Sequence, residues 1–399
     1  MPHVIPLKLI VPFSSIIKIY LQIQLLASVL KVPLGELAQP LQIQAPDQIV
    51  SQRGILTIKG EYLMKKRFWS KTLAGLSAIA LIFTLTSQVH AKTWKMSFGD
   101  AAGGTQWETG KKFAEILEKK ANGKVKFGFF PNGQLGSEQD TVNDCSMGTL
   151  DFSVLAVNNL TPFSPTVGVL TLPYVIQGID DAVKLTQGEL GDELAKNTLR
   201  DAGVRIVAWT YSGFRVLTNS KRPVKTIEDL KGLVIRVPKN AIMIDSYKAW
   251  GINPTPMAWS ETFTALQQKV VDGQDNPFIT VNAMKFYEIQ KYVTTIRYLF
   301  SLEPIIMSEE LFQKQSPEMQ KMILDAGKEA TAYSKQWLID TEDSIKKSLA
   351  EKGMVINEAA DGEKEWIEKA TKAVWPKYYD SIGGKEKLES ALKLLGRSL

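Results

Sequence analysis

Two hydrophobic periodicities alternate along the chain from residue 92 onward. Apolar residues occupy every second position in Thr93–Phe98 and Lys124–Phe130, a pattern typical of strands with one buried face. Between these segments, Trp107, Phe113 and Leu117 recur at helical spacing. The stretch therefore predicts a β-α-β unit, and because the alternation recurs further along the chain, it predicts an α/β fold.

The densest pattern lies in residues 231–280. Val234–Val237 is apolar except for Arg236, which predicts a buried strand that carries one charge. Asp272–Pro277 consists of residues that favour turns, and it predicts a polar turn. Between them, Phe263, Leu266 and Val270 are predicted to form the inner face of a helix.

Longer amphipathic helices are predicted further along the chain. They cover residues of about 180–201, 316–353 and 366–379. The segment after Gly383 is rich in charges, and we expect it to be exposed. Cys145 is the only cysteine, so no internal disulfide can form, and its apolar neighbours indicate a packing role.

Arg236 is the most informative single residue. A guanidinium in an apolar strand cannot lose its charge, and burying it without a partner is costly. Its partner is either a nearby Asp or Glu in a structural ion pair, or a ligand carboxylate that the planar side chain binds through two hydrogen bonds. Asn276, at the end of the same stretch, can donate a further hydrogen bond to such an anion.

Three further polar residues follow predicted strands, where ligands of open α/β sheets bind. Glu138 stands at the start of a predicted helix, where an acid can also serve as a cap. Asn158 and Asn159 come after the strand Asp151–Ala156. Their amides can bind hydroxyl groups of a ligand or cap the next turn.

The segment 64–91 has the features of an export signal. Met64–Arg67 supplies positive charge, Leu73–Leu85 is apolar, and Val89–Ala91 presents small residues where a signal peptidase cleaves, so we expect the exported chain to begin at Lys92. The alternative is a membrane anchor. Because a signal of this kind belongs at an N-terminus, our hypothesis is that residues 1–63 are not translated, and mass spectrometry of the native protein tests it.

Composition excludes several functions for the exported part. The chain has 48 Lys and Arg and 42 Asp and Glu residues, of which the first 91 residues hold nine and three, leaving 39 of each and no basic surplus for nucleic acid. Both histidines, His3 and His90, also precede residue 92, which excludes Ser-His and Cys-His nucleophiles and histidine metal sites. Neither a metal nor a cofactor is expected.

Three motifs in order carry a family resemblance. IRVPKN, NPTPMAWSETFTALQQKVVDGQDNP and KFYEIQKY resemble the DctP-type solute-binding proteins of tripartite ATP-independent periplasmic (TRAP) transporters. The resemblance extends from residue 92 to about 380. It implies a two-domain α/β periplasmic binding protein fold with an interdomain cleft and a long helix that spans both domains.

The resemblance also implies domain limits. Domain I comprises residues 92–212 and about 301–341. Domain II comprises residues 213–300 and about 342–380. A C-terminal tail covers residues 381–399.

The resemblance also implies ligand-contacting residues. Arg215 matches the second arginine of the family, although an ion pair with Asp229 or Glu228 is an alternative. Trp259 stands where the family has an aromatic side chain against the ligand, and a core role is compatible with this. Glu138 occupies an acidic position that reaches the ligand or its water network.

Aromatic residues suggest further walls of the site. Leu172–Tyr174 resembles a segment that lines the family's cleft. Trp209 and Tyr211, together with Trp259, suggest a small pocket.

The expected function is therefore capture of a small organic anion in the periplasm, with delivery to a small DctQ-like and a large DctM-like membrane subunit. The protein is expected to act as a monomer. The anion is a carboxylate, such as a C4-dicarboxylate or a sugar acid. A sulfonate such as isethionate or taurine is the alternative ligand. An exported enzyme that uses carboxylates and an ABC-type binding protein are the alternative classes.

Overall fold

A computed structural model describes residues 92–399. The predicted export signal, residues 64–91, and the segment 1–63 lie outside the described residues. Within the described part, no helix has both the length and the apolar character needed to cross a membrane.

The first sheet has five strands in the order β2-β1-β3-β11-β4. Its strands are β1 (Lys92–Phe98), β2 (Val125–Phe130), β3 (Phe152–Val154), β4 (Val204–Ala208) and β11 (Ile305–Ser308). β1 is parallel to β2 and β3, whereas β11 is antiparallel to both of its neighbours. The predicted β-α-β unit at the start of the described chain is confirmed.

The second sheet has seven strands, six of them in the order β12-β9-β5-β8-β6-β7, with β10 also paired to β5. Its strands are β5 (Tyr211–Asn219), β6 (Ile235–Val237), β7 (Thr255–Pro256), β8 (Gly273–Pro277), β9 (Tyr292–Thr295), β10 (Phe300–Leu302) and β12 (Val355–Glu358). The predicted buried strand around Arg236 is confirmed as β6, but Val234, which was included in the prediction, precedes the strand and is exposed.

Strand β8 corrects the prediction of a polar turn at Asp272–Pro277. Gly273–Pro277 is instead a buried strand between β5 and β6. Backbone pairing on both sides outweighs the turn preference of these residues, because it satisfies their N–H and C=O groups away from water. Gly273 is required there, since a Cβ would lie 2.1 Å from the carbonyl oxygen of Thr218.

Eleven α-helices are present in residues 92–399. They are α1 (Thr105–Lys120), α2 (Glu138–Ser146), α3 (Ile179–Thr186), α4 (Glu189–Ala202), α5 (Ala241–Ala249), α6 (Trp259–Gln267), α7 (Phe278–Ala283), α8 (Glu309–Gln313), α9 (Pro317–Glu351), α10 (Lys364–Ile382) and α11 (Lys385–Leu394). The predicted long helix is confirmed as the 35-residue α9. It packs on α1 and β4 beside the first sheet and on β5 and α7 beside the second sheet.

Three helix predictions need correction. The helix expected over 180–201 is two helices, because the chain breaks at Gln187 and Gly188. Val270 lies beyond the end of α6 and is exposed. The segment after Gly383, expected to be exposed, forms α11, which buries Leu388, Ala391 and Leu392 because these apolar residues recur at helical spacing.

The chain crosses between the sheets three times: between β4 and β5, between β10 and β11, and along α9, which leads to β12. The first two crossings adjoin. The N–H of Glu303 donates to the carbonyl oxygen of Thr210, at 2.8 Å, and so ties the two crossings together. Gly213 follows with φ of +94°, a conformation that glycine adopts without strain. We call the elements around the first and second sheets lobe 1 and lobe 2; the residue limits of the two domains stay a prediction. Cys145 is buried in lobe 1, as its predicted packing role requires.

Candidate ligand-binding site

A small cavity of about 20 Å³ lies between the lobes, so the protein's own side chains leave little free space there in this form. All six residues predicted to contact a ligand line this cavity. Its full lining comprises Asp100, Gln106, Glu138, Ala156, Asn158, Asn159, Arg215, Arg236, Pro238, Trp259, Asn276, Thr280 and Glu303.

Arg236 is buried in the cavity wall without a counter-charge. It lies in the middle of β6 and is 2% exposed. One guanidinium nitrogen donates to the carbonyl oxygen of Met257 at 2.8 Å, but Nε has no partner. Arg236 forms no ion pair with a carboxylate of residues 92–399, so the structural ion pair left open by the sequence does not form. Burial and the nearby Arg215 lower the pKa of Arg236 to about 9.

Arg215, in contrast, is already neutralised. Its Nε lies 3.2 Å from a carboxylate oxygen of Asp275 on the neighbouring strand β8. Burial alone would lower the pKa of the Arg215 guanidinium. The electrostatic interactions with Asp275 and Tyr298 outweigh this effect of burial, so the pKa is raised. An ion pair therefore exists, but its acid is not Asp229 or Glu228.

Asn276 owes its position to the strand register. Arg236 of β6 lies opposite Gln274 of β8, and Asn276 follows two residues later on the same face of the sheet. The Asn276 amide donates to the Gln274 side chain at 2.7 Å. Arg236 and Asn276 therefore point to the same side of lobe 2.

Trp259 bridges the cleft. It is the first residue of α6 in lobe 2, and its indole N–H donates to the carbonyl oxygen of Gly99 in lobe 1 at 3.1 Å. Its ring centroid lies 5.5 Å from the Arg236 guanidinium and 5.7 Å from the ring centroid of Phe286. The side chain is thus both a cavity wall and part of the packing of lobe 2.

Glu138 does not cap its helix. Ser137 and Asp140 form the capping box of α2, while the Glu138 carboxylate accepts hydrogen bonds from Gln106, at 2.6 Å, and from Asn159. Burial raises the pKa of Glu138.

Asn158 has unused hydrogen-bonding capacity. It is 1% exposed, yet neither its amide nitrogen nor its amide oxygen has a partner. Its side chain therefore does not cap the next turn. Its backbone oxygen accepts from the Asn240 amide of lobe 2 at 2.9 Å, a second contact across the cleft.

Sequence analysis does not predict four polar residues of the cavity, which are Asp100, Gln106, Thr280 and Glu303. Gln106 donates from one amide nitrogen to both Glu138 and Glu303, and its oxygen accepts from the Gly99 N–H at 2.7 Å. Burial and the charge of Glu138 raise the pKa of Asp100 to about 7. Two sequence features indicate these residues. Asp100 closely follows the predicted strand that ends at Phe98, and Glu303 is a single charge between two apolar runs.

Three aromatic residues do not line this cavity. Trp209 and Tyr211 are buried in a hydrophobic core and do not line the cavity, so the pocket suggested for them is wrong. Tyr174, expected in the cleft, lies in a different surface depression and donates to Glu363 at 2.9 Å. Their apolar bodies are buried in the packing, which sequence spacing alone does not distinguish from a pocket wall.

Known proteins resemble most of the described chain. The 2,3-diketo-L-gulonate-binding periplasmic protein YiaO of Escherichia coli K12 is 30% identical over 71% of this chain and 85% of its own. A TRAP periplasmic solute-binding protein from Rhodobacter sphaeroides, described as apo and open, is 38% identical with a TM-score of 0.63, over 76% of this chain and 99% of its own. Another from Polaromonas sp. JS666, bound to D-erythronate, is 30% identical with a TM-score of 0.70, over 75% and 98%.

The family model described as bacterial extracellular solute-binding protein, family 7, matches residues 98–381. This family consists of transport receptors, so the enzyme and ABC-type alternatives are wrong. The solved neighbours are two-domain proteins, which confirms the predicted fold. The chain belongs to the bacterial extracellular solute-binding protein family 7, the DctP-type receptors of TRAP transporters.

Proposed function

We propose that this periplasmic receptor binds a small organic acid in the cavity between its lobes. Arg236 binds the carboxylate through two hydrogen bonds, and Asn276 donates to the same group. Arg215 lines the same cavity, where its charge is already neutralised by Asp275. Trp259, Glu138 and Asn158 shape the remaining walls.

The observation that carries this proposal is the unpaired charge of Arg236. A guanidinium that is 2% exposed, with a free Nε and no carboxylate partner, is costly unless an anion joins it. A carboxylate matches the two parallel N–H groups of arginine. Arg215 offers a reference within the same cavity, because Asp275 already neutralises it.

Similar proteins support a carboxylate as the ligand. YiaO is named for 2,3-diketo-L-gulonate, and the Polaromonas protein holds D-erythronate. Both are carboxylates, and neither name supports the sulfonate alternative. The Rhodobacter protein is 38% identical to this chain and the Polaromonas protein 30%, yet the Rhodobacter protein has the lower TM-score, 0.63 against 0.70. Because the Rhodobacter protein is described as open, this difference fits a closed form of the present chain.

The remaining functional predictions belong to this proposal. Residues 64–91 direct export and are removed after Ala91. The loaded receptor, as a monomer, delivers its ligand to a small DctQ-like and a large DctM-like membrane subunit.

A thermal-shift screen tests the proposed function. The protein is recovered from the periplasm, unfolded and refolded to remove any bound ligand, and mixed with carboxylates, sugar acids and sulfonates. A ligand at a thousand times its Kd stabilises by about 4 kcal/mol, which shifts the melting temperature clearly. We expect a carboxylate to shift wild type but not Arg236→Ala. An equal shift in both would remove Arg236 from the site.

A further inference from the structure

Three carboxylates form the wall of the cavity opposite Arg236. Glu138 and Glu303 are joined through the Gln106 amide, at 2.6 and 2.8 Å, and Asp100 lines the same cavity. All three are buried. No group of side chains in the described residues converges as a metal site.

Two buried side chains on this wall still lack hydrogen-bond partners. Asp100 has a free carboxylate oxygen, which can accept. Asn158 has a free amide oxygen and a free amide nitrogen, so it can both accept and donate. Buried polar atoms without partners are costly, and a ligand that closes the cavity has to satisfy them.

The cavity offers one unneutralised positive charge. Arg215 is paired with Asp275, which leaves Arg236 as the one guanidinium lining the cavity without an acid partner in residues 92–399. One such cation serves one carboxylate. Burial already raises the pKa of Asp100, Glu138 and Glu303, and neighbouring acids raise the pKa of Asp100 and Glu303 further. A second carboxylate on the ligand would add another negative charge to this buried group, so it would be repelled or would have to take up a proton, and both are costly.

Hydroxyl groups fit this acidic wall better than any anion. A hydroxyl both donates and accepts, so it can donate to Asp100 and accept from the Asn158 amide. A carboxylate only accepts, so it cannot satisfy the free oxygens of either residue.

We propose that the ligand is a monocarboxylate with a neutral, polyhydroxylated chain, and that the wall of Asp100, Glu138, Glu303 and Asn158 rejects the corresponding dicarboxylates. This inference rests on the proposed function, since Arg236 must hold the carboxylate. It narrows the ligand class, because it excludes C4-dicarboxylates in favour of aldonate-like sugar acids.

Matched ligand pairs test this selection. Erythronate and meso-tartrate differ only in whether the last carbon is an alcohol or a carboxylate, and the same holds for galactonate and galactarate. Calorimetry on the refolded periplasmic protein at pH 8, above the pKa of about 7 of Asp100, compares each pair. We expect the aldonate to bind at least roughly a hundredfold more tightly than its dicarboxylate partner.

Variants assign the selection to the wall. Asp100→Asn removes one negative charge. We expect this variant to reduce the ratio between the affinities for the aldonate and for its dicarboxylate partner by roughly tenfold. Glu138→Gln provides a second test if Asp100→Asn fails to fold. Glu310→Gln, which alters an exposed acid paired with Lys314, should leave the ratio unchanged.

Each other outcome is decisive. Equal or tighter binding of the dicarboxylates would overturn the inference while leaving the proposed function intact. Binding of short monocarboxylates without hydroxyl groups, in preference to aldonates, would overturn it as well. If no carboxylate binds, both the inference and the proposed function are wrong.

Discussion

The two walls of the cavity carry opposite charge. Lobe 2 contributes Arg236 and Trp259, whereas lobe 1 contributes Asp100 and Glu138. In an open form water would solvate both walls. Closure removes that water, so Arg236 is left without a partner. The same burial raises the pKa values of Asp100 and Glu138. Closure without a ligand is therefore costly, and an anion at Arg236 offsets part of that cost. The division of charge thus links closure to ligand capture.

The two arginines of lobe 2 sharpen this contrast. Both are almost fully buried, yet Arg215 is paired with Asp275, whereas Arg236 has no carboxylate partner within residues 92–399. Burial alone therefore does not distinguish a structural arginine from a binding one. The distinguishing feature is whether the protein itself supplies the counter-charge.

Replacing Arg236 should give the largest effect on binding. Two hydrogen bonds to a charged group contribute about 1.5–3 kcal/mol each, so Arg236→Ala should weaken ligand binding by roughly 10²- to 10⁴-fold. Arg236→Lys keeps the charge but loses the planar pair of donors, so a large loss is expected there too. Calorimetry measures both. The exposed Arg200→Lys is the matched control, and an Arg236→Lys affinity equal to wild type would contradict the role.

Replacing each arginine by Met should separate the two by their effect on folding. Arg215→Met leaves Asp275 buried and unpaired, which should lower the free energy of unfolding by about 3–5 kcal/mol. Arg236→Met removes an unpaired buried charge, so ligand-free stability should stay the same or rise. Chemical denaturation without ligand measures both. Equal destabilisation by the two variants would show that the contrast between them is wrong.

The acidic wall should make stability depend on pH. The pKa of Asp100 rises from 3.8 to about 7, chiefly by burial, so between these values the folded protein holds a proton that the unfolded chain releases. Stability should therefore fall as pH rises from about 4 to 7 and level off above that. Asp100→Asn should remove up to about 4 kcal/mol of this decline, since one pKa unit corresponds to about 1.4 kcal/mol. Denaturation at pH 4.5 and 7.5 measures the difference, and an unchanged slope in the variant would exclude Asp100 as its source.

Removing the bridge across the cleft should have the smallest effect. Trp259→Phe keeps an aromatic wall but loses the hydrogen bond to the Gly99 carbonyl. A neutral hydrogen bond contributes about 0.5–1.5 kcal/mol, so affinity should fall by roughly three- to tenfold, mainly through faster ligand release. Stopped-flow fluorescence measures the release rate. A slower release in the variant would mean that this contact does not hold the cleft closed.

The sequence predicts those parts of the molecule in which local pattern and environment agree. The helical repeat over Pro317–Glu351 is long enough to identify α9, and a single charge in the apolar run around Arg236 marks the cavity. Glu303 shows the same pattern, a single charge between two apolar runs, and it also lines the cavity.

Other features depend on contacts that sequence spacing does not contain. Residues 273–277 favour a turn locally, yet β5 and β6 on either side make them a central strand. The partner of Arg215 is Asp275, an acid 60 residues away whose position follows from that strand. Because the turn prediction places Asp275 outside any strand, the sequence predicts neither the Arg215–Asp275 pair nor the contrast between the two arginines.

A crystal structure of the refolded protein with a bound aldonate tests the central claim most directly. We predict both carboxylate oxygens within hydrogen-bonding distance of the Arg236 guanidinium, about 2.7–2.9 Å, with hydroxyl groups against Asp100 and Asn158. The Arg215–Asp275 pair should remain unchanged. A carboxylate bound elsewhere, with Arg236 instead paired to Glu138, would contradict the account.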